Sequence, residues 1–233
     1  MDDLTICYLP GQWRGLDPAH LRTSSCAVID VIRATSTLLV ALAQGARSVR
    51  PVAGIDEAYA LKEKNPDTLL AGERGGQAMP GFDLGNSPRE MTAERVGQRD
   101  IIMTTTNGTQ ALDTCRGARE IVTASLLNLS AVAAHLRKSG PPWIIVCAGY
   151  EGRFGLDDAI VAGALAEALD QDHGFVSLYC AVRRDLAATL LACAAGQELL
   201  KVGLEDDVAI CAELNRFELV PRLHPSGLIT AGV

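Results

Sequence analysis

Strand-like apolar runs alternate with helix-like ones along most of this chain, and that alternation restricts the fold more than any other feature. Ala27–Val31 reads as a buried strand, and a helix follows from about Thr35 to Gln44, with Gly45 at its C′ position. Val49–Val52 predicts a strand, Ile55–Lys64 a helix with Asp56 and Glu57 in its first turn, and Thr68–Gly72 a further strand. Ser87-Pro88-Arg89-Glu90 predicts another helix start, with Ser87 as N-cap and Glu90 completing a capping box. The order then recurs: strand Asp100–Thr104, helix Thr109–Cys115 ended by Gly117, strand Ile121–Ala124, helix Ser130–Lys138, strand Ile144–Ala148 and helix Asp157–Leu169. Strands alternating with helices imply an α/β fold, a mostly parallel sheet with helices on both faces. Only 4% of residues are aromatic, and an Ala-, Leu-, Val- and Gly-rich chain suits helices packed closely on a buried sheet.

The two runs also align as sequence. Gly45-Ala46-Arg47 falls on Gly117-Ala118-Arg119, Thr37 on Thr109, and Thr35 on Asn107. Ala71-Gly72-Glu73-Arg74 resembles the stretch Ala148 to Arg153, allowing small insertions. An internal duplication over about 25–97 and 98–170 is therefore expected inside a single domain spanning 1–233, with a helical extension over 171–233. Within that extension Glu205-Asp206-Asp207 opens a short helix and Phe217–Leu223 reads as an edge strand. A chain of 233 residues buries about 70% of the surface its unfolded form exposes, enough for a core without staples.

Composition removes several function classes. The formal net charge is −7 and no basic run is present, which argues against a nucleic-acid partner. Seven cysteines without CxxC pairs point to reduced thiols and a cytoplasmic setting. The start Met1-Asp2-Asp3-Leu4 has no apolar signal core, and no run approaches about 18 apolar residues, so no membrane association is expected. His20, His135, His173 and His224 form no ligand-spaced pair, which leaves carboxylate-based metal chemistry of the kind that suits Mg²⁺. P-loop, nucleophile-elbow and Rossmann fingerprints are all missing from the sequence.

In parallel sheets ligands bind beyond the carboxyl ends of strands, and there the polar residues gather. Asp30-Val31-Ile32-Arg33-Ala34-Thr35-Ser36-Thr37 puts an acid, an arginine and three hydroxyls at a helix start, a pattern suited to phosphate. Thr104-Thr105-Thr106-Asn107-Gly108-Thr109 is its repeat partner, with an Asn-Gly turn that lets backbone N–H groups approach a ligand. Gly72-Glu73-Arg74-Gly75-Gly76, followed by Gly81-Phe82-Asp83-Leu84-Gly85-Asn86-Ser87-Pro88, reads as an active-site loop. Cys147-Ala148-Gly149-Tyr150-Glu151-Gly152-Arg153 has the Cys-x₅-Arg spacing of a cysteine phosphatase. That reading is discounted, because Glu151 would put an acid in the phosphate cradle and Phe154 replaces the hydroxyl needed after the arginine.

These segments, in this order, resemble the 2-phosphosulfolactate phosphatase family, the phosphatases of coenzyme M biosynthesis. The resemblance runs from about Cys26 to Leu169. It implies a Mg²⁺-dependent phosphatase that converts (2R)-2-phospho-3-sulfolactate to 3-sulfolactate and phosphate, on an α/β fold distinct from the haloacid dehalogenase phosphatases. Residue roles follow from chemistry. Asp30, Glu73 and Glu151, at strand ends, are the expected Mg²⁺ ligands. Asp30, Arg33 and Glu73 are the expected catalytic residues. Arg74 and Arg153 would join Arg33 in neutralising a multiply anionic substrate, and Thr35, Ser36, Thr37, Asn107, Gly108 and Thr109 would donate hydrogen bonds to it. An aspartyl-phosphate route through Asp30 stays open beside attack by water. Two rivals also stay open: a phosphatase of another small phosphorylated hydroxy acid, and a non-catalytic binder of phosphorylated metabolites. A homodimer is compatible with either.

Overall fold

A computed structural model describes residues 3–232, so Met1 and Asp2 of the acidic start lie outside the described residues. Ten strands among the described residues form one sheet: β1 Leu4–Cys7, β2 Ser25–Ile29, β3 Ser48–Pro51, β4 Leu69–Arg74, β5 Gln77–Ala78, β6 Asp100–Thr104, β7 Glu120–Ala124, β8 Trp143–Cys147, β9 Val220–Leu223 and β10 Ile229–Gly232. Among the described residues twelve α-helices pack around it: α1 Pro10–Arg14, α2 Pro18–Thr23, α3 Ala34–Ala43, α4 Ile55–Lys64, α5 Ala93–Val96, α6 Gly108–Thr114, α7 Leu129–Ser139, α8 Leu156–Ala168, α9 Gly174–Val182, α10 Leu186–Ala192, α11 Ala194–Lys201 and α12 Asp206–Cys211. The expected α/β architecture is present.

The strand order is β1-β8-β2-β7-β9-β10-β3-β6-β4-β5. β1, β8, β2 and β7 form one parallel block, and β3, β6 and β4 form another. Ala27 pairs with both Val122 and Ile145, while Ile102 pairs with both Arg50 and Leu70. Thus β2 lies between two strands of the second sequence half, and β6 between two strands of the first. If β2 is exchanged with β6, β3 with β7 and β4 with β8, the order of these six strands reads the same reversed. Two copies that traded their first strands would produce this arrangement.

The hairpin β9–β10 joins the blocks through antiparallel pairings, Val122 with Arg222 and Ile229 with Val49. Phe217–Leu223 was expected at an edge, but β9 is internal, because β10, unforeseen in the sequence, pairs along it. The Ser87 start also differs. Ser87 accepts from the Arg89 N–H, but only a 3₁₀ turn over Pro88–Glu90 follows. Glu90 turns instead to the Gly85 N–H and Arg95, so no capping box forms.

Alternate residues of the buried strands face opposite layers, as the pleat requires. Ala27, Ile29, Ile145 and Cys147 pack with Leu136, Ile160, Leu165 and Leu190 from α7, α8 and α10. Cys26, Val28, Ile144 and Val146 share a second buried cluster with residues of α1, α3 and α6, and Val49, Ile101 and Met103 of the other block belong to it too. Every residue of α3 from Ala34 to Leu42 is buried, and the three hydroxyls at its start donate to backbone carbonyls. α3 touches β7 of one block and β3 of the other, and the residues that follow β2 and β6 meet although the blocks run in opposite directions.

Candidate active site

The segments after β2, β4, β6 and β8 enclose one cavity of about 140 Å³, sized for a small metabolite. Asp30, Arg33, Glu73, Thr106, Asn107 and Glu151 are in its wall, and α11 closes it with Glu198 and Leu199. The α3 and α6 starts touch directly: a Cβ placed on Gly108 would stand 2.6 Å from Asp30 Oδ2 and 2.9 Å from the Ala34 Cβ. The two aligned junctions therefore do share one cleft.

Asp30 is 8% exposed, and its Oδ1 accepts from the Ala34 N–H at 3.1 Å. Burial pushes its carboxyl up to about 7; the bond from Ala34 opposes that rise, and the charges of Asp157 and Glu73 add to it. Asp157 is likewise pushed up to about 6 by burial. Asp158, raised chiefly by burial, accepts from the Val31 and Gly149 N–H groups at 2.9 Å each and ties the end of β2 to the end of β8. Glu73 is a second staple. Its Oε1 accepts from the Thr106 N–H and hydroxyl, and its Oε2 from the Gly76 N–H, so it holds the loops after β4 and β6 together.

Arg33 is buried. It donates to Asp207 Oδ2 at 2.7 Å and to the Gly76 carbonyl at 2.6 Å. Asp207, fully buried at the start of α12, also accepts from the Ser87 hydroxyl at 2.7 Å. Sequence reasoning read Asp207 only as part of a helix start; its pairing spans 174 residues and leaves no local signal.

Several expected ligand contacts are turned inward. Thr35 donates to the Asp30 carbonyl, Ser36 to the Val31 carbonyl and Thr37 to the Asn86 carbonyl, and all three are buried. Thr109 donates to the Thr105 carbonyl. The α3 start that the sequence assigned to phosphate is capped by the carboxylate of Asp30 itself. Arg74 is spent on the Glu73 carbonyl and Thr104, and Arg153 pairs with Glu151 at the exposed rim, 3.0 Å away. Asp30, Arg33, Glu73, Asn107 and Glu151 do line the cavity. Among the described residues, however, no three His, Cys, Asp or Glu side chains converge as a metal cage, so the set Asp30, Glu73 and Glu151 is not assembled as one.

Cys147 is fully buried, and burial, then the Asp158 and Asp157 charges, raise its thiol far above the ordinary range. A nucleophilic cysteine needs the opposite shift. All seven cysteines are free thiols, and only Cys180 is exposed.

One residue of the expected active-site loop, given no role of its own from the sequence, stands out in the cavity. Asn86 is 5% exposed, and its Oδ1 has no hydrogen-bond partner. Buried polar atoms in native proteins are rarely left so.

The family model of 2-phosphosulpholactate phosphatase matches residues 15–226. The chain belongs to that family. The proteins it resembles include three named probable 2-phosphosulfolactate phosphatase. The one from Deinococcus radiodurans is 43% identical over 216 residues, covering 88% of this chain and 90% of that protein. Those from Gloeobacter violaceus and Thermotoga maritima are each 40% identical, covering 91% and 88% of this chain and 93% and 91% of theirs. Membership makes the chain a phosphoric monoester hydrolase. No helix among the described residues is long and apolar enough to cross a membrane.

Proposed function

We propose that this chain hydrolyses (2R)-2-phospho-3-sulfolactate to 3-sulfolactate and inorganic phosphate, with Mg²⁺ as cofactor. The charge at the cavity floor carries the cofactor reading. Asp30 and Glu73 line it, and among the described residues neither has a Lys, Arg or His partner. The guanidinium of Arg33 is already neutralised by Asp207. A phosphate ester entering such a floor meets repulsion unless a cation lies between. The donors fit Mg²⁺: two carboxylates and the unpartnered Asn86 Oδ1 are hard oxygens, and this ion usually takes one or two carboxylates, waters and substrate phosphate. Asp30 and Glu73 would hold it, with Asn86 beside them, and the ion would supply Lewis-acid polarisation of the phosphoryl group. Glu151, at the rim and engaged by Arg153, would be left out.

The protein's own part is positional. Arg33, fixed and charge-balanced by Asp207, would present guanidinium N–H donors at one wall of the cavity, while Thr105, Thr106 and Asn107 offer neutral polar groups from the opposite junction. Groups held this rigidly need no reorganisation as charge develops. Phosphate release from 2-phosphosulfolactate, assayed after exhaustive EDTA treatment and again after adding Mg²⁺, tests the proposal. The expected result is loss and full return of activity. Unchanged activity in metal-free protein defeats the cofactor, and turnover of other phosphorylated hydroxy acids but not this one defeats the substrate.

A further inference from the structure

A second cavity adjoins the first and shares Thr106, Asn107 and Glu151 with it. Its other wall is α1, with Trp13 and Arg14, and the Gln110 side chain of α6. Neither α1 nor Gln110 was assigned a role from the sequence. α1 is nonetheless firmly seated: Trp13 is 2% exposed and donates from its indole to the Cys147 carbonyl at 3.1 Å. The Arg14 guanidinium lies 4.9 Å from the centre of the Trp13 ring and donates to Gln110 Oε1 at 3.1 Å. A flat cation stacked on a buried ring and steered by a neutral amide is pre-organised.

Charge accounting sets Arg14 apart. Two guanidinium groups line the joined cavities. Arg33 faces Asp207, whereas the polar partner of Arg14 is an amide, and the one carboxylate in its cavity, Glu151, is engaged by Arg153. A substrate whose phosphate sits over Asp30 and Glu73 would extend past Thr106 and Asn107 toward Arg14, the guanidinium that, among the described residues lining the two cavities, has no carboxylate partner.

We propose that the Arg14 cavity is a subsite for a second anionic group of the substrate, a sulfonate or carboxylate remote from the phosphate ester, and that Arg14 makes the enzyme prefer such substrates over simple phosphate monoesters. The proposal rests on the phosphatase reading above. Arg14 is exposed, so its replacement leaves the core intact.

The test compares 2-phosphosulfolactate with phenyl phosphate, which has no second anion, in the wild type and in Arg14→Ala and Arg14→Lys. A charge-assisted hydrogen bond corresponds to about ten- to a hundredfold in affinity. The KM for 2-phosphosulfolactate should rise by about that factor relative to any change for phenyl phosphate, with kcat changing less, and Arg14→Lys should recover part of the loss. Equal changes on both substrates, or none on either, overturn the subsite. Calorimetry of 3-sulfolactate and lactate binding, with Mg²⁺ present, separates this failure from failure of the phosphatase reading. If the wild type hydrolyses neither ester, preferential 3-sulfolactate binding that disappears in Arg14→Ala still upholds the subsite. No preference in the wild type, or one that survives in Arg14→Ala, overturns it.

Discussion

At the scale of single residues, Arg33 shows how placement changes what a side chain is worth. As a free cation at a helix start it would affect the reaction and little else. Buried against Asp207, it also supports the fold. Breaking a buried ion pair by removing one partner costs about 3–5 kcal/mol, while replacing both by apolar groups is often close to neutral. Arg33→Ala and Asp207→Ala should therefore each lose about that much stability in urea unfolding. The double variant Arg33→Met/Asp207→Leu should regain much of it while phosphate release stays lost. A double variant no more stable than either single one would show that the pair is not coupled. Cys147 gives a second prediction: Cys147→Ser should keep most activity, because its thiol is pushed up by burial and faces the core. A several-thousandfold fall in kcat in the folded variant would restore the cysteine-phosphatase reading. That Asp30, Arg33 and Glu73 line the cavity was legible in the sequence, because acids and arginines at apolar strand ends are conspicuous. The hydroxyls of Thr35, Ser36 and Thr37 were misassigned because sequence gives residue type and not side-chain direction. Asp207 was missed because its pairing comes only through chain segments far away, and Asn86 was read as part of a loop without being singled out, because its burial is not visible in the sequence.

At the scale of elements, the site depends on how closely α3 and α6 begin to one another. Gly108 sets that separation. Its backbone needs no glycine for torsional reasons, and within a helix alanine would be favoured by about 0.8–1 kcal/mol. The obstacle is space, since the added methyl would press on Asp30 Oδ2 and the Ala34 methyl. Overpacking of this kind costs about 1–3 kcal/mol, so Gly108→Ala should lower the melting temperature modestly. It should lower kcat far more, by about a hundredfold, because the displaced group is the carboxylate on the cavity floor. Wild-type kcat in Gly108→Ala would mean that Asp30 does not need this position. The main strands and helices of both halves were legible because long apolar runs broken by Gly and polar turns carry a strong period. β1, α1, α2 and β10 were not, since each has at most six residues and takes its shape from its neighbours. That gap mattered functionally: α1 carries Arg14, and α11 and α12, read only as a helical extension, close the cavity and hold Arg33.

At the scale of the whole molecule, the palindromic strand order raises the question of whether the two parallel blocks fold as one unit. They touch through few backbone pairs, because the hairpin meets β7 only at Val122–Arg222 and β3 only at Ile229–Val49. Backbone pairing alone would let them separate. The side chains oppose this. Ile229, with no exposed surface, lies in the same buried cluster as Val28 of one block, Val49 and Met103 of the other, and Leu38 of α3 between them. A cavity opened there weakens both blocks at once. Ile229→Ala should cost about 2–5 kcal/mol, as should Ile29→Ala inside β2. Both variants should unfold in urea in one transition, with the wild-type dependence on denaturant, because that slope follows the surface exposed in a single step. Two resolved transitions in Ile229→Ala, one leaving part of the secondary structure intact, would show that the blocks are separable domains joined by a hairpin. A single transition would place the cavity inside one cooperative unit. Asp30 and Gly108, which arrive from opposite blocks, could then be held at contact distance only while the whole chain is folded.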